Sequence, residues 1–144
     1  PPRSTLFLYT TLFRSPYRLT AIDLPASVYF VIKPQVAVST AEIFQAAELT
    51  RNSPVTTIRG FLAAGGRNDC TSCVRGRYPE IAEALDWLRE FGEARLTGTG
   101  ACVFVALPDE RAAQAVRARL PARWSGFVAR GLNRSPLLSR VTES

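Results

Sequence analysis

A glycine- and threonine-rich stretch is the part of the sequence best suited to chemistry. Leu96-Thr-Gly-Thr-Gly-Ala-Cys-Val-Phe104 places Gly98 and Gly100 between two apolar segments, where glycine ordinarily lowers stability. Two glycines at this spacing let the backbone turn so that successive N–H groups face an anion. Thr97 and Thr99 add hydroxyl donors. The same stretch also fits a glycine-containing β-hairpin turn, so both interpretations stay open at this point.

The cysteines offer a second candidate site. Cys70-Thr-Ser-Cys73 has the C-x-x-C spacing, and Cys102 is the third cysteine. A zinc site would need further sulfur or imidazole ligands, and the chain has no histidine. An odd number of cysteines also argues against a disulfide framework. We therefore expect free thiols on a helix and no metal site.

Charge and hydropathy limit the classes of partner. The 144-residue chain has a net charge of +6, and Lys33 is the only lysine among its 18 basic residues. The arginines are scattered and do not interleave with aromatic residues, so we expect a solvated basic surface and no nucleic-acid partner. No apolar run reaches the roughly 18–20 residues of a membrane-spanning helix. We expect no membrane partner and a cytoplasmic location.

The N-terminal segment differs from the rest of the chain. Residues 5–15 (TLFLYTTLFRS) resemble a translated sequencing-library adapter, with one difference at Leu8. We therefore expect residues 1–18 to be a non-native or disordered segment, residues 19–138 to form one domain, and residues 139–144 to be a tail. The alternative for the first segment is a β-hairpin arm, because threonine, tyrosine and phenylalanine favour strands.

The periodicity of the chain predicts alternating strands and helices. Residues 28–33 predict a buried strand, and Ser39 with Glu42 forms a capping box that opens a short helix through about Ala47. A second helix is predicted after Ser53-Pro54, with Ile58, Phe61 and Leu62 forming its apolar face and Gly65-Gly66 at its end. Three more helices are predicted over about 69–77, from Tyr78-Pro79 to a cap at Gly92, and from Asp109 to Pro121. Further strands are predicted at 94–97, 102–107 and 126–131. This order predicts an α+β fold, an antiparallel sheet with helices on one face.

Several motifs occur in an order typical of one enzyme superfamily. Besides residues 96–104, they are Ser39-Thr-Ala-Glu-Ile-Phe44, Glu48-Leu-Thr-Arg-Asn-Ser-Pro54, Asn68-Asp-Cys70, Arg77-Tyr-Pro-Glu80, Trp87-Leu88, residues 126–131 and Ser135-Pro-Leu137. Over about residues 19–137 the chain resembles the C-terminal half of GHMP kinases. The resemblance implies the ferredoxin-like C-terminal domain of that superfamily.

The resemblance also implies an activity. The branch of the superfamily that these motifs resemble uses ATP and Mg²⁺ to phosphorylate a hydroxyl of 4-diphosphocytidyl-2-C-methyl-D-erythritol in non-mevalonate isoprenoid biosynthesis. By resemblance, Phe44 stacks on the cytosine of this cytidine-diphosphate-containing substrate and Thr40 lies near the same ligand. Residues 97–100 (Thr97, Gly98, Thr99 and Gly100) would lie beside the phosphates. The alternative for Phe44 is core packing.

The sequence also departs from the superfamily pattern. The ATP-holding loop, the lysine and the aspartate proposed as general base belong to the N-terminal half of these kinases and have no counterpart here. We therefore expect no catalytic residue in this chain, no activity from the chain alone, and the N-terminal half of the same enzyme as its partner. Glu93 is the carboxylate nearest the glycines, and we do not expect it to act as a base.

Two other classes of function use a similar scaffold. A stand-alone small-molecule-binding module needs no catalytic groups, and an RNA-binding module would present aromatic rings on the open face of the sheet. The strand aromatics Tyr29, Phe30, Phe104 and Phe127 lie in apolar alternation, so we expect them to be buried.

Overall fold

A four-stranded antiparallel sheet, in the order β2-β3-β1-β4, organises the computed structural model, which describes residues 24–133. The elements are β1 (Val28–Lys33), α1 (Thr40–Gln45), α2 (Ile58–Ala64), α3 (Cys70–Arg77), α4 (Pro79–Leu88), β2 (Ala94–Leu96), β3 (Val103–Leu107), α5 (Glu110–Ala118) and β4 (Ser125–Arg130). The predicted α+β fold is confirmed. The predictions for residues 1–18, 135–137 and 139–144 fall outside the described residues. Within residues 24–133, no helix has both the length and the apolar character needed to cross a membrane.

The core lies between the inner face of the sheet and the helices. Phe30 of β1 is paired with Val105 of β3 on one side and with Val128 of β4 on the other. Both Phe30 and Val105 are fully buried. The helix α4 contributes the four side chains expected from its 3.6-residue period, namely Ile81, Ala84, Leu85 and Leu88. This packing encloses one face of β1 and β3.

Two helices begin where the sequence predicts them. Of the capping box predicted at Ser39 and Glu42 only the Ser39 half is present, since within residues 24–133 the Glu42 side chain makes no hydrogen bond back to the Ser39 N–H. The Ser39 hydroxyl accepts a hydrogen bond from the Glu42 N–H at 3.3 Å and begins α1. The Asp109 carboxylate accepts one from the Ala112 N–H at 2.7 Å and begins α5. Each side chain satisfies an N–H group that has no partner inside its helix. The end of α1, at Gln45, comes two residues before the predicted end.

The predicted start of α2 at Ser53-Pro54 is wrong. The helix begins at Ile58, and its cap is Thr57, whose hydroxyl accepts from the Gly60 N–H at 3.0 Å. The Ser53 hydroxyl instead donates to the Asp69 carboxylate and accepts from Arg67. The Ser53 hydroxyl does not cap a helix because it is hydrogen-bonded to residues distant in sequence. The local sequence could not reveal these partners.

Two further helix predictions need correction. Ile58 and Phe61 of α2 are 55% and 40% exposed, so the apolar face predicted to point inward does not; the side chain of Leu62 is outside the described part. The helix α4 is capped at Arg89 rather than at Gly92. Gly65 does end α2 as predicted, with a positive φ of 73°.

The outer face of the sheet carries aromatic side chains. Phe30 is buried as expected, but Phe127 is 52% exposed, so its predicted burial is wrong. Tyr29 and Phe104 are half-buried and contact each other edge to face, with ring centroids 5.8 Å apart. The expectation failed because the helices of residues 24–133 pack on the inner face, whereas apolar residues on both sides of a strand suggest two covered faces.

A pair of glycine substitutions tests this packing. A Cβ at Gly126 would lie 2.8 Å from Cζ of Phe30 and 3.0 Å from the Val31 carbonyl oxygen. We expect Gly126→Ala to lower the free energy of unfolding by about 1–3 kcal/mol through overpacking. Gly76→Ala in α3 is the matched control: nothing lies within 4 Å of its Cβ position, and the helix should gain about 0.5–1 kcal/mol. Urea unfolding measures both, and equal stabilities would contradict the packing described here.

Candidate functional site

Two threonines bring the predicted site segments together. The hydroxyl oxygens of Thr40 and Thr99 lie 2.9 Å apart, although 59 residues separate them in sequence. Thr40 opens α1, and Thr99 belongs to residues 97–100, called the glycine loop below. Phe44 lies on α1 four residues after Thr40, about one turn and roughly 6 Å further along the helix axis. The fold therefore places α1 beside the glycine loop.

The ring of Phe44 is open to solvent. Its side chain is 58% exposed, whereas its neighbour Ile43 is fully buried in the core. The alternative that Phe44 packs in the core is therefore wrong. An exposed aromatic ring beside two hydroxyl groups offers a flat apolar surface next to polar atoms.

The glycine loop is a closed turn between β2 and β3. Gly98 and Gly100 have φ values of +49° and +97°, in the region that favours glycine. The Gly100 N–H donates to the Thr97 carbonyl at 2.7 Å. The N–H and the hydroxyl of Thr97 both donate to the Cys102 carbonyl at 3.0 Å. These bonds account for the turn and for the need for both glycines.

Other backbone groups of this loop have no partner nearby. The N–H groups of Gly98, Thr99 and Ala101 donate to no acceptor within residues 24–133. The loop is thus a hairpin turn, as one of the two interpretations predicts. It also has N–H groups from which an anion could accept hydrogen bonds, and anion binding stays a prediction.

Arg51 holds the backbone behind Phe44. Its guanidinium donates to the carbonyl oxygens of Phe44 at 2.6 Å, Ala46 at 3.0 Å and Leu49 at 3.1 Å. The last carbonyl groups of a helix carry partial negative charge and lack partners inside it, which suits a cation. The sequence marked this segment as a motif without giving Arg51 a role. The signal was one arginine just after a short helix, which is too common to be specific.

Glu48 ties the same segment to α3. It accepts a hydrogen bond from Nε of Arg77 at 2.7 Å and one from the Cys73 thiol at 3.4 Å. The hydrogen bond from Arg77 is the main cause that lowers the pKa of Glu48 to about 2. The segment that follows α1 is therefore attached to α3 by a charged pair.

Asn68 is a second residue to which sequence reasoning gave no role. Its side-chain amide donates to the carbonyl oxygens of Leu96 and Gly98 and so reaches the glycine loop. Three residues support the site: Arg51 and Asn68 bind backbone carbonyl groups, and Glu48 binds the side chains of Arg77 and Cys73. Sequence alone does not distinguish such residues from ordinary surface polar groups.

The charged groups near the glycine loop are already paired. Glu93 accepts two hydrogen bonds from Arg95, at 3.1 and 2.9 Å, and this contact lowers the pKa of Glu93. A carboxylate held as an anion by an arginine is a weak base. This pairing agrees with the expectation that Glu93 is not the general base.

The cysteines do not form a reactive site. Cys70 and Cys73 lie buried on α3, and all three cysteines are free thiols, as predicted. Burial raises the pKa of the Cys73 thiol, which disfavours the reactive thiolate. In the stretch from residue 24 to residue 133, no three metal-ligating side chains come together.

Comparisons with known proteins agree with this geometry. Residues 46–126, more than half of the chain, match the family model described as GHMP kinases C terminal. The chain is 50% identical over 116 residues to the 4-diphosphocytidyl-2-C-methyl-D-erythritol kinase of Halorhodospira halophila, covering 81% of this chain and 40% of the relative. It is 50% identical over 125 residues to the kinase of the same name from Thiobacillus denitrificans, covering 87% of this chain and 45% of the relative.

A solved structure shows the same fold. The crystal structure of a 4-(cytidine 5'-diphospho)-2C-methyl-D-erythritol kinase superposes with a TM-score of 0.54 at 24% identity, over 76% of this chain and 44% of that chain. The chain thus spans less than half the length of these relatives.

The Glu48 contacts predict an acid-sensitive stability. Because the folded pKa of Glu48 is below its ordinary value of about 4.5, its contribution is present above pH 4.5 and is lost as the pH falls toward 2. We expect Glu48→Gln to be less stable than the wild type at pH 7, with a difference that shrinks between pH 4.5 and 2. Glu83→Gln, which breaks a surface ion pair with Arg123, is the control. Denaturation at several pH values measures this, and a Glu48→Gln difference that stays constant with pH would contradict it.

Proposed function

The chain belongs to the GHMP kinase family, whose C-terminal domain it contains, and from this membership we propose that it is part of an ATP-dependent kinase acting on 4-diphosphocytidyl-2-C-methyl-D-erythritol. The enzyme phosphorylates a hydroxyl of this substrate in the non-mevalonate route to isoprenoids. The relatives of that name support the substrate. The observation that carries the proposal is the exposed Phe44 ring beside the Thr40–Thr99 contact.

Phe44 binds the cytosine end of the substrate in this proposal. A nucleobase stacked on an aromatic side chain gains about 1–3 kcal/mol. Arg51 holds the backbone carbonyl of Phe44, so the backbone that carries the ring is in place before the ligand binds. Such preorganisation lowers the entropy lost on binding.

The phosphate end of the substrate lies at the glycine loop. The hydroxyl of Thr40 lies about one helical turn from Phe44 and contacts the hydroxyl of Thr99. The N–H groups of Gly98 and Thr99, which have no acceptor within residues 24–133, belong to the same loop. Donors of this kind stabilise phosphate charge without a cationic side chain. We assign Thr40 and residues 97–100 to phosphate binding.

ATP and Mg²⁺ complete the reaction only in the longer enzyme. Phosphoryl transfer depends on positioning and on stabilisation of charge. The described residues bring together no three metal-ligating side chains, and Glu93 beside the loop is paired, so no step through the metal is assigned to them. We propose that the ATP-holding loop, the lysine and the general base lie in the N-terminal half of the enzyme. That half is the partner of this domain, and the 144-residue chain alone should not catalyse the reaction.

We place the enzyme in the cytoplasm. The three free thiols, two of them buried, suit a reducing compartment, since oxidising compartments favour disulfides.

One observation favours a second candidate, an RNA-binding module. Tyr29, Phe104 and Phe127 lie on the outer face of the sheet, the arrangement in which some RNA-binding sheets stack bases. Here Tyr29 and Phe104 contact each other edge to face, and Arg95 on the same face is paired with Glu93. Because the arginine beside these rings is already paired with a carboxylate, the kinase domain is the better-supported proposal.

Phe44→Ala tests the proposed base site. We expect it to lower the affinity of the chain for cytidine diphosphate about tenfold, because stacking is lost, with little change in stability since the ring is exposed. Phe127→Ala is the matched control, an exposed phenylalanine on the outer face of the sheet. Isothermal titration calorimetry measures the affinities.

The same two variants separate the candidates. If Phe44→Ala binds cytidine diphosphate as tightly as the wild type does, the proposed role of Phe44 is wrong. If the chain binds RNA in a salt-dependent manner and Phe127→Ala weakens that binding, the RNA-binding candidate is supported instead.

A further inference from the structure

Asn68 joins α3 to the glycine loop through its side-chain amide. Its Nδ2 donates to the carbonyl oxygen of Leu96 at 3.0 Å and to that of Gly98 at 2.7 Å. Its Oδ1 accepts from the N–H of Cys70, the first residue of α3, at 3.0 Å. One side chain thus connects a helix start with a loop 28 to 30 residues away in sequence.

The carbonyl groups of Leu96 and Gly98 flank Thr97, so the Asn68 amide holds the loop on both sides of that residue. Gly98 has a φ of +49°, and nothing beyond its chain neighbours lies within 4 Å of the position that its Cβ would occupy, so this side of the loop is open. The two hydrogen bonds from Asn68 attach this open turn to the start of α3.

An asparagine is suited to these three contacts because it has two N–H donors and a carbonyl acceptor on one planar group. Aspartate has nearly the same shape and remains a good acceptor at a helix N-terminus. It has no donor for the two carbonyl groups when ionised. Asn68→Asp therefore removes the contacts to the loop and keeps the contact to α3.

We propose that Asn68 is a positioning residue for phosphate binding: its amide orients the glycine loop so that the N–H groups of Gly98 and Thr99 bind phosphate. This inference rests on the proposed function, which assigns phosphate to that loop. Phe44 lies one helical turn beyond the Thr40–Thr99 contact. A disturbed loop should therefore affect the phosphates of the ligand and leave the base site intact.

The affinities for cytidine diphosphate and for cytidine distinguish an effect on the phosphate site from an effect on the base site. In calorimetric titrations of the 144-residue chain, we expect Asn68→Asp to weaken cytidine diphosphate about tenfold, the scale of one or two lost hydrogen bonds, and to change cytidine affinity less than about twofold. Phe44→Ala should weaken both ligands. Asn52→Asp makes the same change of charge at an exposed asparagine and should change neither affinity.

Hydrogen exchange gives a readout that needs no ligand. The Gly100 N–H donates to Thr97 inside the loop, and we expect its exchange to quicken about tenfold or more in Asn68→Asp while amides of α3 stay protected. Asn68→Ala, which adds no charge, should show the same effect on Gly100. This second variant separates loss of the donors from repulsion by a new carboxylate.

The outcomes are distinct. Unchanged Gly100 exchange in both Asn68 variants overturns the inference. Faster exchange with an equal loss of affinity for cytidine and cytidine diphosphate, or with no loss for either, also overturns it, because Asn68 would then be structural only. If the wild type binds neither ligand, the proposed function fails for this chain, and the exchange rates decide whether Asn68 holds the loop.

Discussion

The burial of one face of β1 is the constraint on which the rest of this structure depends. Phe30 and Ile32 are fully buried, and their strand pairs with β3 and β4 at once. The register of β1 with β3 places β3 in the sheet. The register of β2 with β3 then determines where the hairpin turns, and hence where the glycine loop lies. The chain that leaves β1 becomes α1 within seven residues. Both parts of the candidate site are therefore positioned from the same strand.

The site is exposed, but the contacts that shape it lie behind it. Arg51 binds the carbonyl groups around Phe44, Asn68 binds the carbonyl groups around Thr97, and Glu48 joins Arg77. Arg51 and Asn68 thereby give hydrogen-bond partners to carbonyl groups at the end of α1 and around the glycine loop, and Glu48 attaches the segment after α1 to α3. The residues proposed to meet the ligand stay free for it. A site built in this way has defined geometry without a deep cavity.

The outer face of the sheet carries exposed apolar residues. Among residues 24–133 the helices pack on the inner face, and Phe127 on the outer face is exposed. A sheet with one open face is ordinary for an antiparallel arrangement, but such faces are commonly polar. The chain covers 40% and 45% of the two relatives described above, and an exposed apolar face is typical of a surface that meets another protein segment.

The sequence by itself determined the element order, the inner face of α4 and the caps at Ser39 and Asp109, because these depend on contacts within a few residues. It also placed the glycines where positive φ values require them. Only the tertiary structure decided that Ser53 binds Asp69 rather than capping α2, that Phe127 is exposed, and that Thr40 meets Thr99. The roles of Arg51 and Asn68 also emerged only there. Each of these outcomes depends on which distant segment arrives next to a residue, and hydrophobic periodicity carries no information about that.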